Sequence, residues 1–232
     1  MILLARSEPD LRELAEHLAE RHGGPVAEVI AADLTAEDGP ERVLAELRDR
    51  GLIVDLLLNN AGAGPFLDRP LAPQLRSVGL NVGGLLALTH ALGAEMVARG
   101  RGGVINVSST AAFQPMPYQA SYAATKAFVL SFTEALAVEL RGTGVHVMAA
   151  HPGPIATGFL HGTSATINAA VAARTLDDYA RRRAVSYPGR AVSRVLNRTM
   201  AWFPRLLPRA VVTRATGALN RKLGLHEVVD LG

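Results

Sequence analysis

Tyr122 and Lys126 stand four residues apart in Ser121-Tyr122-Ala123-Ala124-Thr125-Lys126, and Ser109 lies thirteen residues upstream in Asn106-Val107-Ser108-Ser109. A spacing of four puts the phenol and the ammonium on one face of a helix. There the cation is expected to favour the phenolate and so lower a pKa that is ordinarily about 10. A hydroxyl delivered from a strand end can hold a substrate oxygen beside that phenol. The chemistry open to these three residues is proton transfer in a carbonyl/alcohol interconversion, given a separate source of hydride. YxxxK alone is common in helices; the serine at its offset is what adds weight.

Such a site needs strands that end together. Met1 to Ala5 reads as a buried strand, and Ser7 as the N-cap of a helix to about Arg21 with Leu11, Leu14, Ala15 and Leu18 inward. Further strands are expected at 26–31, 54–58, 103–107 and 145–150, with a short last one at 184–187. Helices are expected at about 36–50, at 71–99 with a break near Gly79 to Gly84, and at 118–141. A loop and helix are expected over 158–180. Regular strand–helix alternation implies an α/β fold with a doubly wound parallel sheet, and 232 residues fit a single domain. Ligands bind such sheets beyond the carboxyl ends of the strands, where Arg6, Asp33, Asn59 to Gly62, Ser109 and Pro152 to Thr157 all fall.

With these residues in order and at these spacings, the chain resembles the short-chain dehydrogenase/reductase family over essentially its whole length. The matching pieces are Asn59-Asn60-Ala61-Gly62, Asn81, Ser109, Tyr122-x-x-x-Lys126 and Pro152-Gly153-Pro154-Ile155-Ala156-Thr157. The resemblance implies a Rossmann-like fold, a tyrosine acid/base, a serine that positions the substrate oxygen, and a lysine serving both tyrosine and nicotinamide ribose. It implies that Asn81 kinks its helix and holds a water in the proton relay. Asn59, Ala61 and Gly62 would lie towards the adenosine side of the cofactor. Ile155 and Thr157 would lie against the nicotinamide amide, with Pro152 and Gly153 in the same cofactor-binding segment. Arg6 follows the first strand where an acidic residue would take the ribose hydroxyl of NAD. Ala5-Arg6-Ser7 offers a cation and a hydroxyl instead, which favours the 2′-phosphate of NADP over NAD. Asp33 would accept from the adenine amino group, or else cap the helix that follows.

One piece of the pattern is missing. The family opens with a strand, a TGxxxGxG turn and a helix whose N-terminus receives the pyrophosphate. No such glycine pattern occurs here, and the first strand corresponds to the family's second. The expectation is an N-terminally truncated fold lacking a unit of roughly 30 residues. Two explanations stand: a start placed too late in a working enzyme, or a non-catalytic fragment that at most binds a partner or a membrane surface.

Composition narrows the rest. There are no cysteines, which excludes disulfides and thiolate chemistry, and the seven histidines show no metal-ligand spacing. His151 is expected to fill a strand end. The first apolar stretch is too short for a signal peptide or membrane span, so a cytoplasmic protein is the default expectation. Residues 181–222 carry eleven Arg and Lys and no acidic residue, leaving thirteen basic residues against 21 acidic ones elsewhere although the net charge is only +3. Interleaved apolar residues such as Val192, Leu196, Trp202 and Phe203 would cover a substrate cleft or a homo-oligomer contact. Peripheral contact with an anionic membrane is the alternative. Nothing marks a nucleic-acid binder. The expected partner is a small carbonyl or alcohol substrate.

Overall fold

The computed structural model describes residues 1–62, 70–152 and 207–222. They belong to two compact units, Met1–Ile53 and Val54–Gly232.

In the first unit, strands β1 (Ile2–Ala5) and β2 (Glu28–Ala31) pair in parallel, from Ile2 opposite Glu28 to Ala5 opposite Ala31. Helix α1 (Glu8–His22) connects them. Ser7 caps it as expected, accepting from the Asp10 amide at 3.4 Å, and Gly23 ends it at φ +76°. Leu11 is buried while Leu14 is 37% exposed. Leu11, Ala15 and Leu18 share a stripe at spacings of four and three, and Leu14 lies at its edge, so the inward assignment of Leu14 does not hold. Helix α2 (Gly39–Asp49) buries Val43 and Leu47. Its N-cap is Asp38, not Asp33. Asp33 Oδ1 instead accepts from the backbone and hydroxyl of Thr35, at 2.8 and 2.7 Å, and this turn delays the helix. Gly39 then passes so close that a Cβ would lie 2.1 Å from the Asp33 carbonyl oxygen.

The second unit holds strands β3 (Leu56–Asn59), β4 (Gly102–Val107) and β5 (Val145–Ala150), all parallel in that order. β4 is central, and Val104, Ile105 and Asn106 are inaccessible to solvent. The described strands thus form two parallel sheets with no β1–β3 ladder, in keeping with a doubly wound fold that lacks the family's first strand. The strands are mainly apolar because helices cover parallel strands.

One long helical stretch comprises α3 (Leu71–Val78), a π-helical turn (Gly79–Gly84) and α4 (Leu85–Ala98); α4 packs on β4, and the helix Ala120–Glu139 lies against α3 and the turn. The expected break near Gly79 is therefore a widening within a continuing helix. By length and apolarity Leu71–Ala98 could cross a bilayer, yet Leu85, Leu88, Leu92 and Met96 are spent in the core. Helix α5 (Ala120–Glu139) packs against β5 and β4 through Val129, Leu130 and Ala137. Helix α6 (Arg209–Lys222) is the described part of the basic segment. The expected elements at 158–180 and 184–187 lie outside the described residues.

Candidate active site

The end of β4 organises the site. Ser108 and Ser109 point in opposite directions, as successive residues of an extended chain must. Ser108 is buried, and its hydroxyl donates to the Lys126 carbonyl at 2.8 Å. In the reverse sense Lys126 Nζ donates to the Val107 carbonyl at 2.8 Å. Strand end and helix are therefore tied by two hydrogen bonds of opposite direction. Ser109 is extended (φ −163°, ψ 161°) and opens a short 3-10 turn, Thr110–Phe113, its oxygen accepting from the Ala111 amide at 3.1 Å. Its hydroxyl proton is left for the Tyr122 side chain, with which it is hydrogen-bonded.

Tyr122 lies in the first turn of α5, one turn before Lys126. The ammonium is 5.8 Å from the centre of the phenol ring. Burial raises the Tyr122 pKa, and the Ser109 bond, which favours the phenolate, offsets only part of that. The lowered phenol expected from the lysine is thus reversed: desolvation outweighs the partners. Burial also brings Lys126 down to about 8. Both groups are pushed towards their neutral forms.

Asn81 occupies the π turn and is 1% exposed. Its amide donates to Thr125 Oγ1 at 2.9 Å and, more weakly, towards Ser77 Oγ at 3.4 Å. Thr125 in turn donates to the Tyr122 carbonyl at 2.8 Å. Because the Thr125 proton is committed there, its oxygen can only accept, and Asn81 must present nitrogen to it. The Asn81 carbonyl then points away, towards Gly62. A Cβ on Gly62 would lie 3.3 Å from Lys126 Nζ and 3.4 Å from Asn81 Oδ1, so a side chain would crowd this corner. Neither Ser108 nor Thr125 was legible as a site residue. The only signal was their adjacency to Ser109 and Lys126.

Asn59 is buried, and its amide donates to Thr89 Oγ1 and Asn106 Oδ1, each at 2.8 Å. Asn106 passes the chain on to Thr133 at 3.0 Å. Both amide hydrogens of Asn59 are thus used inside the fold, joining β3 to β4 and α4, while Ala61 is exposed beyond the strand. Past β5, the Thr110 amide donates to the Pro152 carbonyl at 3.1 Å, placing Pro152 beside Ser109. His151 is fully buried with its ring 4.9 Å from that of Phe113, and fills the strand end as expected.

The structure therefore brings Asn81, Ser109, Tyr122 and Lys126 together, with Gly62 at their edge and Pro152 alongside Ser109. Arg6 and Asp33 belong to the first unit, Arg6 exposed just after β1. Gly153, Ile155 and Thr157 lie outside the described residues. Gly62 puts no side chain between the buried Lys126 ammonium and a ligand, and an ammonium can donate to hydroxyls, so these residues fit a nicotinamide ribose.

Comparison with known proteins places the chain among related sequences and folds. A short chain dehydrogenase of Pseudocercospora fijiensis (strain CIRAD86) is 35% identical over 157 residues, 66% of this chain and 50% of that protein. Sulfoacetaldehyde reductase 2 of Chromohalobacter salexigens is 36% identical over 164 residues, 68% of this chain and 64% of that protein. The chain thus spans about half to two thirds of the length of these curated relatives. Among solved structures, one bearing on 7beta-hydroxysteroid dehydrogenase stereoselectivity superposes with a TM-score of 0.78 at 25% identity, covering 93% of this chain and 85% of that one. L-sorbose reductase from Gluconobacter frateurii, complexed with NADPH and L-sorbose, superposes at 0.62 with 30% identity, covering 68% and 61%. Residues 1–168 match the family described as short chain dehydrogenase, with Ser109, Tyr122 and Lys126 inside the matched span. By that match and by the arrangement of those side chains, this chain belongs to the short chain dehydrogenase family.

Proposed function

We propose that the chain is an oxidoreductase that interconverts a carbonyl and a secondary alcohol with NADP(H), using Tyr122 as acid and base. The observation that carries this reading is the Ser109–Tyr122 hydrogen bond beside a buried Lys126. The chemistry a bound nicotinamide supplies is hydride transfer at the carbonyl carbon. Lys126 and the Gly62 corner would hold its ribose, and Arg6 the 2′-phosphate that separates NADP from NAD.

In reduction, the substrate oxygen takes hydrogen bonds from Ser109 and Tyr122. A phenol held protonated by burial can give its proton to the developing alkoxide, while Ser109 stabilises the negative charge. The phenolate that remains lies beside the Lys126 ammonium, which favours it only once charge has formed. Lys126 and a water held on the Asn81 carbonyl would then return a proton to the phenolate. In oxidation the same groups run in reverse.

Titration calorimetry with NADPH and NADH, followed by assays on a carbonyl panel, tests this reading. Saturable NADPH binding with turnover supports it; no binding at millimolar cofactor would overturn it. Arg6→Asp should move the NADPH/NADH ratio of kcat/KM towards NADH, and an unmoved ratio would remove Arg6 from the cofactor site.

A further inference from the structure

The chain enters the helix that carries Tyr122 through a residue in an unfavourable conformation. Tyr118 has φ +72°, the only positive φ at a non-glycine position among the described residues. There Cβ crowds the backbone carbonyl, and a bulky side chain is a true outlier. Such conformations persist only where the surroundings over-determine them.

The surroundings here include a helix about a hundred residues away. Asn220 Nδ2 donates to the Pro117 carbonyl at 2.9 Å across 103 positions of sequence. That carbonyl belongs to the peptide plane whose rotation sets φ of Tyr118. The ring of Pro117 already fixes its own φ, so the bond leaves the plane entering Tyr118 little freedom. α6 is shaped for this approach. Val212, Thr216 and Asn220 lie on one stripe and are 5%, 8% and 3% exposed. Gly217 fits against the proline, for a Cβ there would lie 3.1 Å from Pro117 Cγ. Thr216 donates back to the Val212 carbonyl and so does not compete for the Pro117 oxygen. Arg209, Arg214 and Arg221 remain exposed.

We propose that Asn220 is a positioning residue for Tyr122: by pinning the Pro117 carbonyl it holds Tyr118 left-handed and so sets how α5 enters with its phenol against Ser109. The meaning of Tyr122 rests on the redox reading above, but the clamp itself does not.

Amide hydrogen exchange of the full chain, read by mass spectrometry, tests it. The reporters are the Gln119 and Ala123 amides, bonded to the Met116 and Gln119 carbonyls at 3.1 and 2.9 Å. Asn220→Leu keeps the branched outline and removes the donor. It should speed their exchange roughly tenfold, the equilibrium equivalent of the left-handed penalty on a non-glycine residue. Tyr118→Gly accepts positive φ without that penalty. In its background Asn220→Leu should change exchange by less than about twofold. Unchanged exchange in Asn220→Leu overturns the proposal. So does equal acceleration in both backgrounds, because Asn220 would then act only on helix docking. Acceleration confined to α6 overturns it as well. Exchange is read whether or not the chain turns over a substrate, so failure of the redox reading would be a separate result.

Discussion

Burial drives Lys126 and Tyr122 to neutrality from opposite ends of the pH scale, and their linkage to stability follows. Below about 8 Lys126 is charged in the folded and unfolded chain alike, and the folded chain bears the full cost of a buried cation. Between about 8 and its unbound value of 10.5, the unfolded chain still binds a proton that the folded chain has released, so stability rises with pH. Above 10 the order reverses for Tyr122: the unfolded phenol ionises first, and stability falls. Urea midpoints should therefore climb from pH 8 to pH 10 and then turn down. Lys126→Met should abolish the climb. At pH 7 it should gain up to about 3 kcal/mol, less about 1 kcal/mol for the Val107 carbonyl it leaves unbonded. A climb that survives the substitution would place the titrating group elsewhere. Tyr122→Phe should cut carbonyl reduction by about 10²- to 10⁴-fold, as loss of a general acid does, with NADPH binding by calorimetry unchanged. Helical spacing was enough to pair Tyr122 with Lys126. The sign of the phenol's shift was not legible, because the groups that bury it come from β4 and the turn after it.

At the scale of elements, α5 and the π turn are held in register by Thr125, which serves Asn81 with one lone pair and the Tyr122 carbonyl with its proton. Thr125→Val removes both bonds at constant shape. It should cost about 1–3 kcal/mol in urea unfolding and lower kcat/KM for the carbonyl, whereas Thr125→Ser keeps the hydroxyl and should recover most of each. If Val and Ser behave alike, Asn81 is oriented by something else. Periodicity and breakers located every described strand of the second unit, and β5 was read at its actual bounds. They failed where side chains redirect the backbone. Asp33 folds onto Thr35, so α2 starts only at Gly39. Gly79 to Gly84 reads as a break because glycines usually interrupt helices, yet the turn packs against α5, Asn81 bonding Thr125, and the helix continues through a wider turn. Polar side chains inside apolar runs, such as Asn106 and Thr133, gave no hint that they bond each other across the core.

The molecule as a whole is unevenly buried. Ile2, Leu3 and Leu4 of β1 are only half-buried, while Val104, Ile105 and Asn106 of β4 are inaccessible. Amides of β1 and β2 should therefore exchange roughly a hundredfold faster than those of β4, as opening free energy follows local burial. Equal protection would mean that the first unit opens only when the whole chain unfolds.

The buried ammonium has one more consequence, for covalent chemistry. The 232 residues contain two lysines, Lys126 and Lys222, since arginine supplies nearly all the positive charge. Acylating reagents attack free amines, and arginine stays protonated at any working pH. An amine with a pKa near 8 is roughly one-tenth unprotonated at pH 7, against well under a thousandth for an ordinary lysine. The Met1 α-amine is the third free amine of the chain, so acylation read by peptide mapping, which separates the three, becomes a site-resolved probe. The Lys126 channel reports entry to the catalytic corner, and the Lys222 channel normalises for reagent. A nicotinamide ribose seated against Lys126 should silence the first channel and spare the second, giving a measure of occupancy that requires no knowledge of the substrate.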